Sequence, residues 1–310
     1  MSITRKSPDA FALQVMLVLC VVWGMQQVLI KWAAPDIAPV MQAAGRSGIA
    51  ALVVGIAMCW QGGLRCMSST WRAGLLAGSL FALEFLFIAE GLQLTSAAHM
   101  SVFLYTAPIF TALGLHWKLP SERLRPLQWM GVLLAFVGIA TAFVGGMSLT
   151  DMDTNMLIGD GMGVLAGMAW GATTVVVRSS RLSEAPVTLT LFYQLMVCLV
   201  GLLLIAVASG QVTHVQLTPV GVGSVLFQGL VVSCASYLTW FWLLRRYMAS
   251  NLAVFSFMTP LFGVTFGVLL LNEPLSLNFV LGAILVLLGI TLVSGEQWIR
   301  KKLSRWARPD

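Results

Sequence analysis

Apolar residues in this chain come in runs too long for a soluble fold. Ten stretches, at 12–33, 39–60, 73–93, 97–117, 126–145, 158–177, 187–208, 219–243, 252–271 and 277–297, hold few charges. Each is close to the 20 or so residues that carry a helix across a ~30 Å hydrocarbon core. Polar residues collect in the gaps, and the longest gap, "GGMSLTDMDTNMLI" at 145–158, is too short for a soluble domain. The pattern predicts an all-α integral membrane protein of ten transmembrane helices. The first run follows Arg5 and Lys6 as a signal peptide would. It is too long for a signal core and lacks a small-residue cleavage site, so it reads as helix 1.

Composition agrees: 58% of the 310 residues are hydrophobic and 10% are charged, with a mean hydropathy of +0.89. The pI near 9.3 would suit a nucleic-acid binder, but the positions of the basic residues give it another meaning. Of the 18 lysines and arginines, all but Lys31 and Arg46 fall on one side of the predicted topology, from Arg5 and Lys6 to Arg300, Lys301, Lys302, Arg305 and Arg308. That asymmetry orients both termini to the cytoplasm and attracts anionic headgroups, so membrane lipid is an expected partner and nucleic acid is not. The five cysteines lack paired spacing, so neither a disulfide framework nor a metal site is expected. Walker A, His-Glu-x-x-His and Gly-x-Ser-x-Gly sequences are absent, so no cofactor and no enzyme activity is expected.

The chain also repeats itself. Trp23-Gly24 with Lys31 recurs 147 residues later as Trp170-Gly171 with Arg178, and "APV" at 38–40 recurs at 185–187. "AAHMSVFLYTAPIF" at 97–110 faces "ASNLAVFSFMTPLF" at 249–262, after which Glu122 matches Glu273, Gly131 matches Gly282 and Gly138 matches Gly289. Five helices are an odd number, so the second copy enters the membrane from the opposite side. The expected organisation is a first repeat at 1–146, an outer loop at 147–157, an inverted second repeat at 158–297 and a basic tail at 298–310. Inverted repeats let two halves exchange conformations around a central site, which is the geometry of alternating access.

"SAAHMSVFLYTAPIFTALG" followed by "SERLRPLQWMGVLLAFVG", the echo "FMTPLFGVTFGVLLLNEPLSLNFVLGAILVLLG" and the early "WG" of helices 1 and 6 resemble the EamA-type family of the drug/metabolite transporter superfamily. The resemblance covers residues 10–295. It implies a ten-helix carrier in the bacterial inner membrane, commonly an exporter of amino acids or related metabolites, with a cavity between the repeats. Glu84 and Glu90 of helix 3 lie outside the recognised pattern.

A charge at mid-bilayer costs about 2.5 to 3.5 kcal/mol on insertion scales, so ionisable residues there are functional candidates. Counted from the helix ends at 1.5 Å per residue, Gln27, Arg46 and Glu84 share one polar layer in the outer half of the membrane. Two readings stay open: Glu84 pairs permanently with Arg46, or Glu84 faces the cavity and binds a substrate ammonium or a coupling proton. The second repeat offers Tyr193 at the Arg46 position, Ser236 at the Glu84 position, and then Tyr237 and Trp240. With Trp23, Tyr105 and Trp170 these form the expected substrate site, suited to a zwitterion with an apolar side chain or to an organic cation held by cation–π contact. Glu90 and His99 are expected to meet at the outer rim. Pro108 and Pro260, inside helices 4 and 9, are expected to act as hinges. The glycines at 159, 163, 167 and 171 form a packing stripe. The leading expectation is a metabolite exporter; an organic-cation exporter using Glu84 is the alternative. Monomer and homodimer both stay open.

Overall fold

The computed structural model describes residues 9–60, 66–120, 123–144, 154–247, 252 and 255–306. No strand occurs among them. Glu122 lies outside the described residues.

The long apolar runs form helices because every backbone N–H and C=O must find its partner within the segment when no water is available. The helices are α1 (Ala10–Trp32), α2 (Pro39–Trp60), α3 (Met67–Leu94), α4 (Ala97–Leu104), α5 (Ala107–Lys118), α6 (Pro126–Val144), α7 (Thr154–Arg178), α8 (Val187–Ala208), α9 (Pro219–Leu226), α10 (Tyr237–Arg246), α11 (Met258–Leu271) and α12 (Leu277–Trp306). Seven segments among the described residues are long and apolar enough to cross a membrane: α1, α2, α3, the α4–α5 run, α7, α8 and Pro219–Trp240. Three shorter apolar stretches, Pro126–Ala142, Met258–Leu271 and Leu277–Val293, accompany them.

Two of the expected continuous runs are interrupted. Residues 97–118 break at Tyr105 and Thr106, where the Thr106 hydroxyl donates to the Phe103 carbonyl at 2.6 Å and satisfies backbone that the helix leaves free. Pro108 follows in the first turn of α5, and Pro260 likewise stands in the first turn of α11. A proline's missing N–H is harmless there, because first-turn donors have no intrahelical partner. Between α9 and α10, Phe227–Ser236 is a π-helix, whose ten residues pack Gly229 against Ile49 of α2.

Glycines permit the closest crossings. The chain of α6 passes α12 so tightly that a Cβ on Gly131 would lie 2.7 Å from the Gly289 carbonyl oxygen, and a Cβ on Gly138 would lie 2.7 Å from that of Gly282. Gly24 of α1 abuts Phe262 and Gly263 of α11, while Gly171 of α7 abuts Phe110 and Thr111 of α5. The glycine stripe of α7 is a packing face: Gly159, Gly163 and Gly167 close on Thr95, Phe103 and Thr106 in turn. Cys20, Cys198 and Cys234 are buried among helices, and all five cysteines are free thiols.

Candidate substrate cavity

A cavity of about 710 Å³ lies between the helices. Four helices give it one face each, at the spacing that stacks side chains on a helix. They are Trp23, Gln26 and Gln27 of α1; Phe81, Glu84 and Phe85 of α3; Trp170, Thr173, Thr174 and Val177 of α7; and Val187, Thr190, Leu191 and Gln194 of α8. The break between α4 and α5 turns Tyr105 and Pro108 into the wall, and Tyr237 and Trp240 of α10 complete it. The aromatic rings hold one another edge to face, Tyr105 on Trp170 at 5.5 Å and Trp23 on Trp240 at 5.8 Å. The Trp23 Nε1–H donates to the Ser236 hydroxyl at 2.7 Å. At one end the wall includes exposed Arg178 and Ser183, so the cavity reaches the surface there.

Outside the cavity lining, at the Lys31 end of α1, a second set of polar contacts joins helix ends. Lys31 Nζ stands 3.3 Å from Glu273 Oε1 and donates to the Thr95 carbonyl at 2.6 Å. The Glu273 carboxylate in turn accepts from the Ala97 and Ala98 N–H groups at 2.8 and 3.0 Å. A carboxylate at a helix start answers both the orphan donors and the positive end of the dipole. Beside it, His99 Nδ1 donates to Asp160 Oδ2 at 2.9 Å, the Thr95 hydroxyl donates to the same carboxylate, and the His99 ring stacks on Phe279 at 3.7 Å. Both members of the His99–Asp160 pair are buried.

Of the nine residues expected at a substrate site, Trp23, Gln27, Glu84, Tyr105, Trp170, Tyr237 and Trp240 line this cavity, whereas Arg46 and Tyr193 do not. The Tyr193 hydroxyl donates to the Met67 carbonyl at 3.1 Å and its ring packs on Gly74, so it holds α8 to α3. Arg46 is 0% exposed and lies behind the wall. Its guanidinium covers the Phe85 ring at 3.6 Å, and Nη1 donates to Gln26 Oε1 at 3.3 Å. The fixed ion pair with Glu84 is not present: the Arg46 guanidinium meets Gln26 and Phe85 instead. Glu84 Oε2 and the Arg46 Nε and Nη2 atoms are buried without hydrogen-bond partners. Burying each such ion costs several kcal/mol.

The expected rim contact between Glu90 and His99 is also corrected. Glu90 accepts from Gln93 at 2.9 Å and from Gln211 at 3.4 Å. The Ser96 cap starts α4 with its oxygen on the His99 N–H, and His99 turns inward to Asp160. Sequence reasoning passed over Asp160, although the rule that singled out Glu84, a carboxyl inside an apolar run, applies to it equally. It also left Gln26 out of the site, although Gln26 lines the cavity beside Gln27.

Packed membrane helices around a polar and aromatic cavity suit a membrane transporter. The chain belongs to the EamA-like transporter family, whose model matches residues 10–144 and 157–295. It is similar to the uncharacterized transporter YoaV of Bacillus subtilis, 26% identical over 87% of this chain and 91% of that one. An uncharacterized transporter of Archaeoglobus fulgidus is 26% identical over 89% and 94%. The chloroplastic WAT1-related protein At3g02690 of Arabidopsis thaliana is 27% identical over 88% of this chain and 66% of its own length. A protein known from a crystal structure shares the fold at a TM-score of 0.60, with 17% identity over 92% of this chain and 96% of that one. Family and relatives point to a membrane transporter rather than an enzyme.

Proposed function

We propose that this protein is a secondary transporter of the bacterial inner membrane that exports small metabolites, foremost amino acids and amino-acid-like zwitterions, by alternating access. The observation that carries the reading is a polar and aromatic cavity that reaches the surface beside Arg178 and Ser183, while the Lys31–Glu273 and His99–Asp160 pairs join helices outside its lining. By the positive-inside rule the open end is cytoplasmic, both termini are cytoplasmic, and the described state loads from inside.

The three shorter apolar stretches bring the proposed topology to ten helices, as two inverted repeats at 1–146 and 158–297. Three observations support that symmetry. The two stretches matched by the family model correspond to the two halves. Gly131 meets Gly289 while Gly138 meets Gly282, so each contact is the other with the repeats exchanged; such self-complementarity is the mark of a two-fold interface. Gly24 on Phe262 and Gly171 on Phe110 are exchanged in the same way. Under this reading Pro108 and Pro260 are paired hinges.

Counterflow in proteoliposomes tests the function: vesicles loaded with one unlabelled amino acid at a time should accumulate the label of the same compound. If organic cations drive exchange and amino acids do not, the substrate class is wrong and Glu84, unpaired among aromatic rings, serves a cation exporter as binding anion or proton carrier. If nothing exchanges, the transporter reading itself falls.

A further inference from the structure

Among the described residues, Arg46 is the largest fully buried side chain. A guanidinium offers five N–H donors in a planar fork shaped for a carboxylate. Here one donor meets a neutral carboxamide oxygen, at the long distance of 3.3 Å, and the Nε and Nη2 atoms meet nothing. Its ring-facing surface is satisfied by Phe85. Two of the residues that touch it, Gln26 and Phe85, are cavity-lining residues, so on that side a single side-chain layer separates the cation from the cavity. In that same wall Glu84 presents a carboxylate with one oxygen buried and unpartnered. Glu84 and Arg46 share neither an ion pair nor a hydrogen bond.

A fixed structural pair would have closed this gap, since opposite charges in low dielectric attract strongly at contact. Two opposite charges held apart beside a cavity instead match a ligand that carries both. We infer that Gln26 is a placeholder for the substrate's carboxylate. On loading, the Gln26 amide turns aside and the carboxylate takes the Arg46 fork, while the substrate ammonium meets Glu84 and its apolar side chain lies against Trp23, Tyr105 and Trp170. The inference deepens the amino-acid reading above and rests on it. It assigns Gln26 and Arg46 the discrimination between a zwitterion and the amine that lacks the carboxylate, because a charge-assisted bidentate pair is the strongest contact the site can make. The substrate has to fill both charges, since either one left buried alone is costly.

The test is binding of leucine, 3-methylbutylamine and 4-methylpentanoate to purified protein, read by the fluorescence of the tryptophans that line the cavity. Wild type should bind leucine about tenfold to 100-fold more tightly than either analogue, the worth of one charge-assisted hydrogen bond or two. Gln26→Glu supplies Arg46 with an internal carboxylate, so it should lose leucine binding and gain 3-methylbutylamine binding. Arg46→Gln should erase the preference for leucine over the amine, and Glu84→Gln should erase the preference for leucine over the acid. Because Arg46→Gln disturbs a fully buried position and can fail to fold, Gln26→Glu is the deciding variant. Wild-type protein that binds leucine no more tightly than the amine overturns the inference, as does a folded Gln26→Glu protein with the wild-type preference. Counterflow separates this from the wider reading: amine exchange as fast as leucine exchange removes the clamp and leaves a transporter, whereas absence of all exchange removes the transporter.

Discussion

At the scale of the residue, the membrane makes each buried polar group a large commitment, and this protein meets most of them with short local bonds. Gln42 shows the rule: fully buried, it donates to the Ile30 and Ile37 carbonyls at 3.0 and 2.8 Å and accepts from Gln228 at 2.8 Å. Asp160 is met as fully, by His99 and Thr95. Asp160→Asn would leave the imidazole with a poorer partner, and breaking a buried ion pair costs about 3–5 kcal/mol. The variant should therefore unfold at a clearly lower temperature in detergent. A double-mutant cycle with His99→Phe, which keeps the stack on Phe279, should show that the two losses are not additive; additive losses would mean the pair contributes nothing. Arg46 and Glu84 are the charged exceptions among the described residues, where Gln27 Oε1, Gln228 Oε1, Ser233 Oγ and Thr259 Oγ1 are also buried without partners.

At the scale of the element, the helices are shaped by their breaks and close approaches rather than by propensity. Gly289→Ala would bring a Cβ to 2.5 Å from the Gly131 carbonyl oxygen, and backbone cannot yield as a flexible side chain does. Overpacking of this kind costs about 1–3 kcal/mol. The expected result is a lowered melting temperature, while Gly223→Ala, which meets nothing within 4 Å, should be neutral or stabilising, as helix propensity favours Ala. The breaks before Pro108 and Pro260 make a different prediction. If these interruptions bend during transport, Pro108→Ala and Pro260→Ala, by allowing the helix to continue, should slow exchange about tenfold, a barrier rise of about 1.4 kcal/mol. Ligand binding should be little changed. Wild-type exchange rates in both variants would assign the prolines to packing alone.

At the scale of the whole molecule, the proposed orientation places the Arg178 end of the cavity in the cytoplasm. In a background freed of native cysteines, a cysteine at Ser183 should react with a membrane-impermeant thiol reagent applied to inside-out vesicles and resist the same reagent applied to intact cells. A cysteine at Lys31, half-buried against Glu273, should show the reverse preference. Equal reactivity of both positions from one side would overturn the proposed orientation.

Hydropathy alone determined the membrane class and the positions of the helices, because backbone hydrogen bonding in hydrocarbon leaves a run of about 20 apolar residues little alternative. The motifs of 96–138 and 257–289 resemble the family to which the chain belongs. Depth along the helix axis was legible too, since residue counts convert directly to ångströms, and Glu84, Gln27 and the aromatic residues do line the cavity. Rotation about each helix axis was not legible. A helix that is apolar on its lipid face and on its packed face gives no periodic signal to say which side turns inward. Arg46 and Tyr193 were therefore both expected at the substrate site, and neither enters the cavity wall. His99 lies near the expected depth but bonds Asp160 of a distant helix instead of Glu90. Only the packing of the bundle decided which charges meet, and it joined Lys31 to Glu273 and His99 to Asp160 while leaving Glu84 and Arg46 apart.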